Sequence, residues 1–216
     1  MATEVATPTR FAELQEIVGR PIDLSPDQWA VLYRRAVAYR PSLIVELGRN
    51  FGNSTVVLTE AAHAVGCRVV SVGMDSRDSK LRFLRAQGCT WEQRTVPRLL
   101  PVVGADWFAP LTALHLDITK TDWRWLPEQD HALLFWDAHG ADVADAVMSR
   151  LLPRLPNALI GMHDVGRLES VSTGTPDLYT WRDLASTFEE LHSVAPLLEM
   201  QSYEVNGGIL WFSSPS

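Results

Sequence analysis

The sequence predicts an α/β fold, an open seven-stranded sheet with helices on both faces, spanning residues 41–216 behind an N-terminal helical extension over residues 1–40. Three observations predict it. Leu43-Ile44-Val45-Glu46-Leu47 is the apolar run of a strand buried on both faces, and it enters a turn bearing Gly48 and Gly52 before a helix begins. Further apolar runs alternate with helical patterns and end on polar residues, Asp75, Asp117, Asp137 and the pair His163-Asp164, which is the rhythm of βα units. Asn206-Gly207 is a two-residue hairpin signal, so the last two strands are antiparallel neighbours.

Taken in order, Thr9 to Val18 reads as a helix with Phe11, Leu14 and Ile17 at helical spacing. Ser25-Pro26-Asp27-Gln28 opens a second helix with a cap, a first-turn proline and a capping-box glutamine, and it ends before Pro41. In the first strand Glu46 is the single charge, and a charge in a buried run needs a reason. Gly48 and Gly52 allow a sharp turn and a close approach of backbone to ligand, while Asn53, Ser54 and Thr55 are N-cap candidates for a helix that Gly66 closes. Arg68 to Met74 is the second strand, and Ser79 to Gln87 a short helix. Thr90 to Pro110 combines prolines and tryptophans without a clear period and is expected as an excursion over the sheet edge. The third, fourth and fifth strands are Thr112–Leu116, Ala132–Trp136 and Ala158–Met162, with a helix from Asp142 to Leu152. Gly166 to Thr180 is a long loop rich in Gly, Ser, Thr and Pro, of the kind that serves as a lid. A helix Trp181–His192 and the strands Leu198–Val205 and Gly208–Phe212 complete the chain.

Composition narrows the function classes. A net charge of −7 without a Lys/Arg cluster argues against a nucleic-acid partner. No apolar run approaches the roughly 18 residues that cross a bilayer, which argues against a membrane span. Cys67 and Cys89 lack metal-type spacing and the start Met-Ala-Thr-Glu lacks a signal-sequence pattern, so the expected setting is reducing and cytoplasmic. Of the tryptophans, Trp29, Trp136 and Trp211 are expected in the core, and Trp107, Trp123 and Trp181 as walls of a substrate site.

Glu46-Leu47-Gly48-Arg49-Asn50-Phe51-Gly52 resembles the first motif of the class I S-adenosylmethionine-dependent methyltransferases: an acid, any residue, a glycine, three residues and a glycine. A dinucleotide fingerprint would need glycine where Asn50 and Asn53 stand, and a phosphate-binding loop of the Walker type would need a lysine after Gly52. The resemblance implies a Rossmann-like sheet of order 3-2-1-4-5-7-6 with the last strand antiparallel. It implies S-adenosylmethionine as cofactor, with Glu46, Gly48, Asn50, Gly52, Ser54, Asp75 and Asp117 as the binding residues. A carboxylate at the end of the second strand accepts from two vicinal ribose hydroxyls, the role expected of Asp75, and Asp117 is expected beside the adenine.

Ligands of open α/β sheets bind outside the carboxyl ends of the strands. Asp137 and His163-Asp164 end strands that are expected as neighbours about 5 Å apart, so their side chains converge. Carboxylates with a histidine suit a hard divalent cation, and the implied metal ligands are Asp137, His163 and Asp164 with Mg²⁺ or Mn²⁺. This half of the chain resembles metal-dependent O-methyltransferases of small molecules and the related cephalosporin-hydroxylase-like proteins. Where that family often has Ile-Asp-Gly-Asp-His, this sequence has Phe135-Trp136-Asp137-Ala138-His139, without the second acid.

The resulting expectation is methyl transfer from S-adenosylmethionine to a metal-bound hydroxyl of a small molecule, such as a sugar or a natural product. Asp137, His139 and His163 are the catalytic candidates, a histidine removing the proton. Two alternatives stay open: a non-methylating or hydroxylase-like tailoring enzyme that binds the same cofactor, and a non-catalytic binding protein on the same fold. Oligomeric state is open, a homo-oligomer included. His63, His115, His131 and His192 receive no functional reading.

Overall fold

The strand β1 (Leu43–Leu47) is buried along its whole length, Glu46 included, and its carboxyl end leads directly into the glycine turn. The computed structural model describes residues 5–18, 24–74, 91–138, 141–163, 204–206 and 209–213. The chain divides into two compact units, Met1–Leu116 and Asp117–Ser216.

In the first unit, β1 pairs in parallel with β2 (Arg68–Gly73), and β2 in parallel with β3 (Leu111–His115), giving the order β3-β2-β1. The helix α1 (Phe11–Val18) buries Phe11, Leu14 and Val18. Phe11 meets Trp29 and Tyr33 edge-on, with ring centroids 5.4 and 5.3 Å away. Those rings belong to α2 (Pro26–Tyr39), which has the full capping box: Gln28 N–H donates to Ser25 Oγ at 3.3 Å and Ser25 N–H to Gln28 Oε1 at 2.8 Å. Arg40, at φ 55°, closes α2 in a left-handed conformation just before Pro41. The residues of the expected N-terminal extension thus pack within this unit: α2 lies against α3 (Asn53–Val65), where Trp29 Nε1–H donates to Asn53 Oδ1 at 3.2 Å.

Residues 91–110, which showed no period, form short helical pieces, Trp91–Arg94, Val96–Val103 and a 3-10 turn Ala105–Phe108. Tertiary contacts fix them. Trp107 donates its Nε1–H to Glu60 of α3 at 2.5 Å, and Arg10 grips the same carboxylate with Nε and Nη2 at 3.0 and 2.5 Å. A buried carboxylate held by a guanidinium and an indole ties the N-terminus, α3 and this excursion together. Trp107 is therefore a core residue and not a substrate wall.

In the second unit, β4 (Ala132–Trp136) pairs in parallel with β5 (Leu159–Met162), β5 pairs antiparallel with β7 (Ile209–Ser213), and β6 (Glu204–Asn206) pairs antiparallel with β7, giving β4-β5-β7-β6. Asn206 pairs with Ile209 and so belongs to the strand, one residue later than the hairpin signal suggested; residues 207 and 208 lie outside the described residues. Gly161 faces Trp211, and a Cβ at Gly161 would come within 2.6 Å of that indole. The segment expected as one helix from Asp142 to Leu152 is α-helical only over Ala141–Ala146, then a π turn over Val147–Leu151 and a 3-10 turn over Leu152–Arg154. Trp123, expected as a substrate wall, is buried at 1% exposure. Among the described residues no helix is long and apolar enough to cross a membrane.

The helices expected at Ser79–Gln87 and Trp181–His192, the loop Gly166–Thr180, Trp181 itself and the strand residues 198–203 lie outside the described residues.

Candidate active site

The turn after β1 is built from left-handed residues: Gly48, Asn50 and Gly52 have φ of 97°, 46° and 93°. Asparagine is among the few residues with a side chain that tolerate this region, and glycine adopts it freely. Gly48 N–H and Arg49 N–H both donate to Val72 O, at 2.9 and 3.1 Å, so the turn is bound to β2. Gly52 N–H closes the turn on Arg49 O at 2.8 Å. Gly52 is also required sterically, because a Cβ there would lie 1.9 Å from Cζ3 of Trp91. Around it, Thr95 donates to Phe51 O at 2.7 Å and the Arg94 guanidinium lies 4.1 Å from the Phe51 ring centroid.

Glu46 has its reason under this turn. Its carboxylate is fully buried and accepts from the hydroxyls of Ser54, Thr55 and Ser71, Thr55 at 2.8 Å. Burial pushes its pKa up, and the three hydroxyls and the Arg49 charge pull the other way. The carboxylate thus joins the end of β1 to the first turn of α3 and to β2. Ser54 and Thr55, expected as helix caps, spend their hydroxyls here, and Asn53 accepts from Trp29; Gly52 is the N-cap, without a side-chain bond. Of the expected cofactor residues, then, Gly48, Asn50 and Gly52 form the turn, while Glu46 and Ser54 lie beneath it. Asp75 lies outside the described residues.

Sequence reasoning passed over Arg49. Its side chain is buried, and its Nη1–H donates to Ser71 O at 2.6 Å and reaches Ser71 Oγ at 3.3 Å. Nη2 lies 3.4 Å from His115 Nε2 and 3.8 Å from Glu92 Oε1, and these two partners are themselves 3.0 Å apart. Burial lowers the Arg49 pKa, and the carboxylates of Glu46 and Glu92 oppose that shift. An arginine flanked by a glycine and an asparagine in a turn this tight is the signal that was available.

In the second unit, Asp117 accepts from Thr119 N–H at 3.0 Å and Thr119 Oγ1–H at 2.6 Å, and pairs with Lys120 Nζ at 2.9 Å. The Thr119 hydroxyl, followed by Lys120, holds its carboxyl below the usual range. Arg150, from the π turn, donates to Thr119 O at 2.6 Å and so fastens the same segment.

The carboxyl ends of β4 and β5 bring Asp137 and His163 together, His163 Nδ1 lying 3.1 Å from Asp137 Oδ1 with both side chains nearly buried. Register explains this, since Trp136 pairs with Met162 and the next residue on each strand follows, His163 N–H donating to Trp136 O at 3.1 Å. Trp136 Nε1–H donates to Ala138 O at 2.8 Å and fixes the chain just beyond Asp137. Nδ1 is the ring nitrogen that faces the carboxylate, so the contact with Asp137 bears on the tautomer of this imidazole. Asp137 and His163 are an oxygen and a nitrogen donor side by side, the residue types that divalent cations take as ligands. Among the described residues no group of three His, Cys, Asp or Glu could hold a metal; Asp164 and His139 lie outside them.

No protein-family model and no curated protein sequence matches the chain. Solved structures do. A methyltransferase from Podospora anserina, bound to S-adenosylhomocysteine, matches at TM-score 0.62 and 15% identity over 99% of this chain and 91% of its own. An O-methyltransferase from Bacillus cereus, in complex with S-adenosylhomocysteine, matches at TM-score 0.63 and 16% identity over 98% and 93%. The O-methyltransferase TomG from Streptomyces achromogenes, in complex with S-adenosylmethionine, matches at TM-score 0.60 and 15% identity over 98% and 92%. The chain has the α/β, Rossmann-like fold of the class I S-adenosylmethionine-dependent methyltransferases.

Proposed function

We propose that the protein is an S-adenosylmethionine-dependent methyltransferase acting on a hydroxyl of a small molecule. The observation that carries this reading is the turn 48–52, with left-handed residues at 48, 50 and 52, at the carboxyl end of a wholly buried parallel strand. Similar structures that hold S-adenosylmethionine or its demethylated product support it. In this reading the two groups of strands join through β1 and β4 into the order 3-2-1-4-5-7-6. Gly48, Asn50 and Gly52 present backbone to the cofactor, Asp75 takes the ribose and Asp117 lies beside the adenine. Glu46 and Ser54 act by holding the turn.

S-adenosylmethionine supplies an electrophilic methyl group, and a divalent cation held by Asp137, His163 and Asp164 would supply charge that favours the acceptor's alkoxide. The protein's own contribution is proton removal and placement. Asp137 accepts the Nδ1–H of His163 and sets the tautomer, so that Nε2 either takes the hydroxyl proton as the methyl group is transferred or, with the cation bound, is spent on the cation and leaves the proton to another base. His139 is the second candidate for that proton. Binding both substrates in near-attack geometry supplies much of the rate.

The test is incubation with S-adenosylmethionine and a panel of sugars, polyketides and catechols, read by mass spectrometry. The expected product is heavier than the acceptor by one CH₂ unit, with turnover reduced by chelator and restored by Mg²⁺ or Mn²⁺. Cofactor binding without any such product across hydroxylated acceptors points to the non-methylating alternative.

A further inference from the structure

We propose that Arg49 is a positioning residue of the cofactor turn, holding residues 48–52 in the conformation that receives the cofactor by anchoring them to β2 and β3. The inference rests on the reading of that turn as an S-adenosylmethionine site. Arg49 stands between Gly48 and Asn50, both left-handed, and its backbone already serves both sides of the turn: its N–H donates to Val72 O and its carbonyl accepts from Gly52 N–H. The side chain adds a third anchor. Its guanidinium donates to Ser71 O at 2.6 Å, and the Ser71 hydroxyl in turn donates to Glu46, so one residue of β2 receives the turn from above and the end of β1 from below. The far side of the guanidinium faces His115 at the end of β3 and Glu92 of the helix whose Trp91 covers Gly52.

The sequence makes room for this arrangement. A Cβ at Gly73 would come within 3.1 Å of Arg49 Cβ and 3.5 Å of its guanidinium carbon. Burying a guanidinium is costly unless it is hydrogen-bonded and faced by opposite charge, and a turn that merely reverses the chain does not need one. What the anchor supplies is preorganisation. Left-handed residues alternating with right-handed or extended ones leave a short turn several ways to relax, and a turn already held in place forfeits less entropy when a ligand arrives. Arg49 therefore acts on cofactor affinity and leaves the chemical step to other residues.

The experiment measures S-adenosylhomocysteine binding by calorimetry, and KM for S-adenosylmethionine against kcat, in the wild type, Arg49→Gln, Arg49→Lys and Glu92→Gln. Thermal melts of each variant report on folding. The expected result is a Kd raised about tenfold or more in Arg49→Gln, partly recovered in Arg49→Lys, with KM rising in step and kcat within about twofold of wild type. Glu92→Gln alters a half-exposed residue, so it keeps the fold testable, and it is expected to raise Kd about threefold. A wild type that binds S-adenosylhomocysteine while all three variants bind it equally well overturns the role of Arg49 and leaves the functional reading standing. So does a fall in kcat with KM unchanged. A wild type that binds none overturns both.

Discussion

Glu46 shows why a single charged residue in a buried strand carries so much of the account. Three hydroxyl donors converge on it, and replacing it by glutamine turns one acceptor oxygen into a donor facing donors. Glu46→Gln is expected to cost about 1–3 kcal/mol of stability at neutral pH, measured by urea unfolding. Its pH dependence has a definite sign. Because burial raises the folded-state pKa, the folded protein holds this proton more tightly than the unfolded chain. The stabilisation from the proton is complete below the ordinary glutamate range and is lost as pH rises through the folded-state value. The wild type's advantage over Glu46→Gln therefore shrinks with rising pH in that window; an advantage that grows there would show that hydrogen bonding outweighs desolvation. At the other residue pair, His163→Gln is expected to lower kcat about 10²–10⁴-fold with little change in cofactor binding. Equal turnover in His163→Gln and the wild type would shift the proton to His139.

At the scale of elements, glycine and tryptophan interlock at two places among the described residues, Gly52 under Trp91 and Gly161 under Trp211. Gly161→Ala pushes a methyl group into the Trp211 ring and is expected to destabilise by about 1–3 kcal/mol, read as a lower urea midpoint at unchanged slope. An unchanged midpoint would mean that β7 shifts freely on β5. The elements also show what the sequence could and could not disclose. The strands β1, β2 and β4 were legible because buried parallel strands read as unbroken apolar runs, and the α2 capping box because its signal is local. Residues 91–110 were not, because Pro97 and Pro101 obscure the helical pattern and the pieces are held by distant partners, Gly52 and Glu60. The polar start of α3 misled for a related reason: Ser54 and Thr55 have the right chemistry for a cap, but a buried carboxylate from the neighbouring strand competes for the same hydroxyls. Arg49 went unread because its flanking glycine and asparagine are the one local cue, while the partners that bury it, Ser71, His115 and Glu92, are distant in sequence.

For the whole molecule, the candidate site was legible as residue types at strand ends. Asp137 and His163 meet as expected once β4 and β5 pair in register. The proposed β1–β4 neighbourhood predicts that backbone amides of Leu43–Leu47 and Ala132–Trp136 exchange with deuterium at the same slow, global rate; two distinct rates would separate the halves.

Calorimetric titration with S-adenosylhomocysteine decides whether the turn 48–52 receives S-adenosylmethionine. The expected result is micromolar binding by the wild type that is lost in Gly48→Val, since valine resists the φ of 97° observed there, and in Asp75→Ala, with both variants still folded by circular dichroism. Absence of both binding heat and thermal stabilisation in the wild type would contradict it and leave the turn as a structural element of a binding protein.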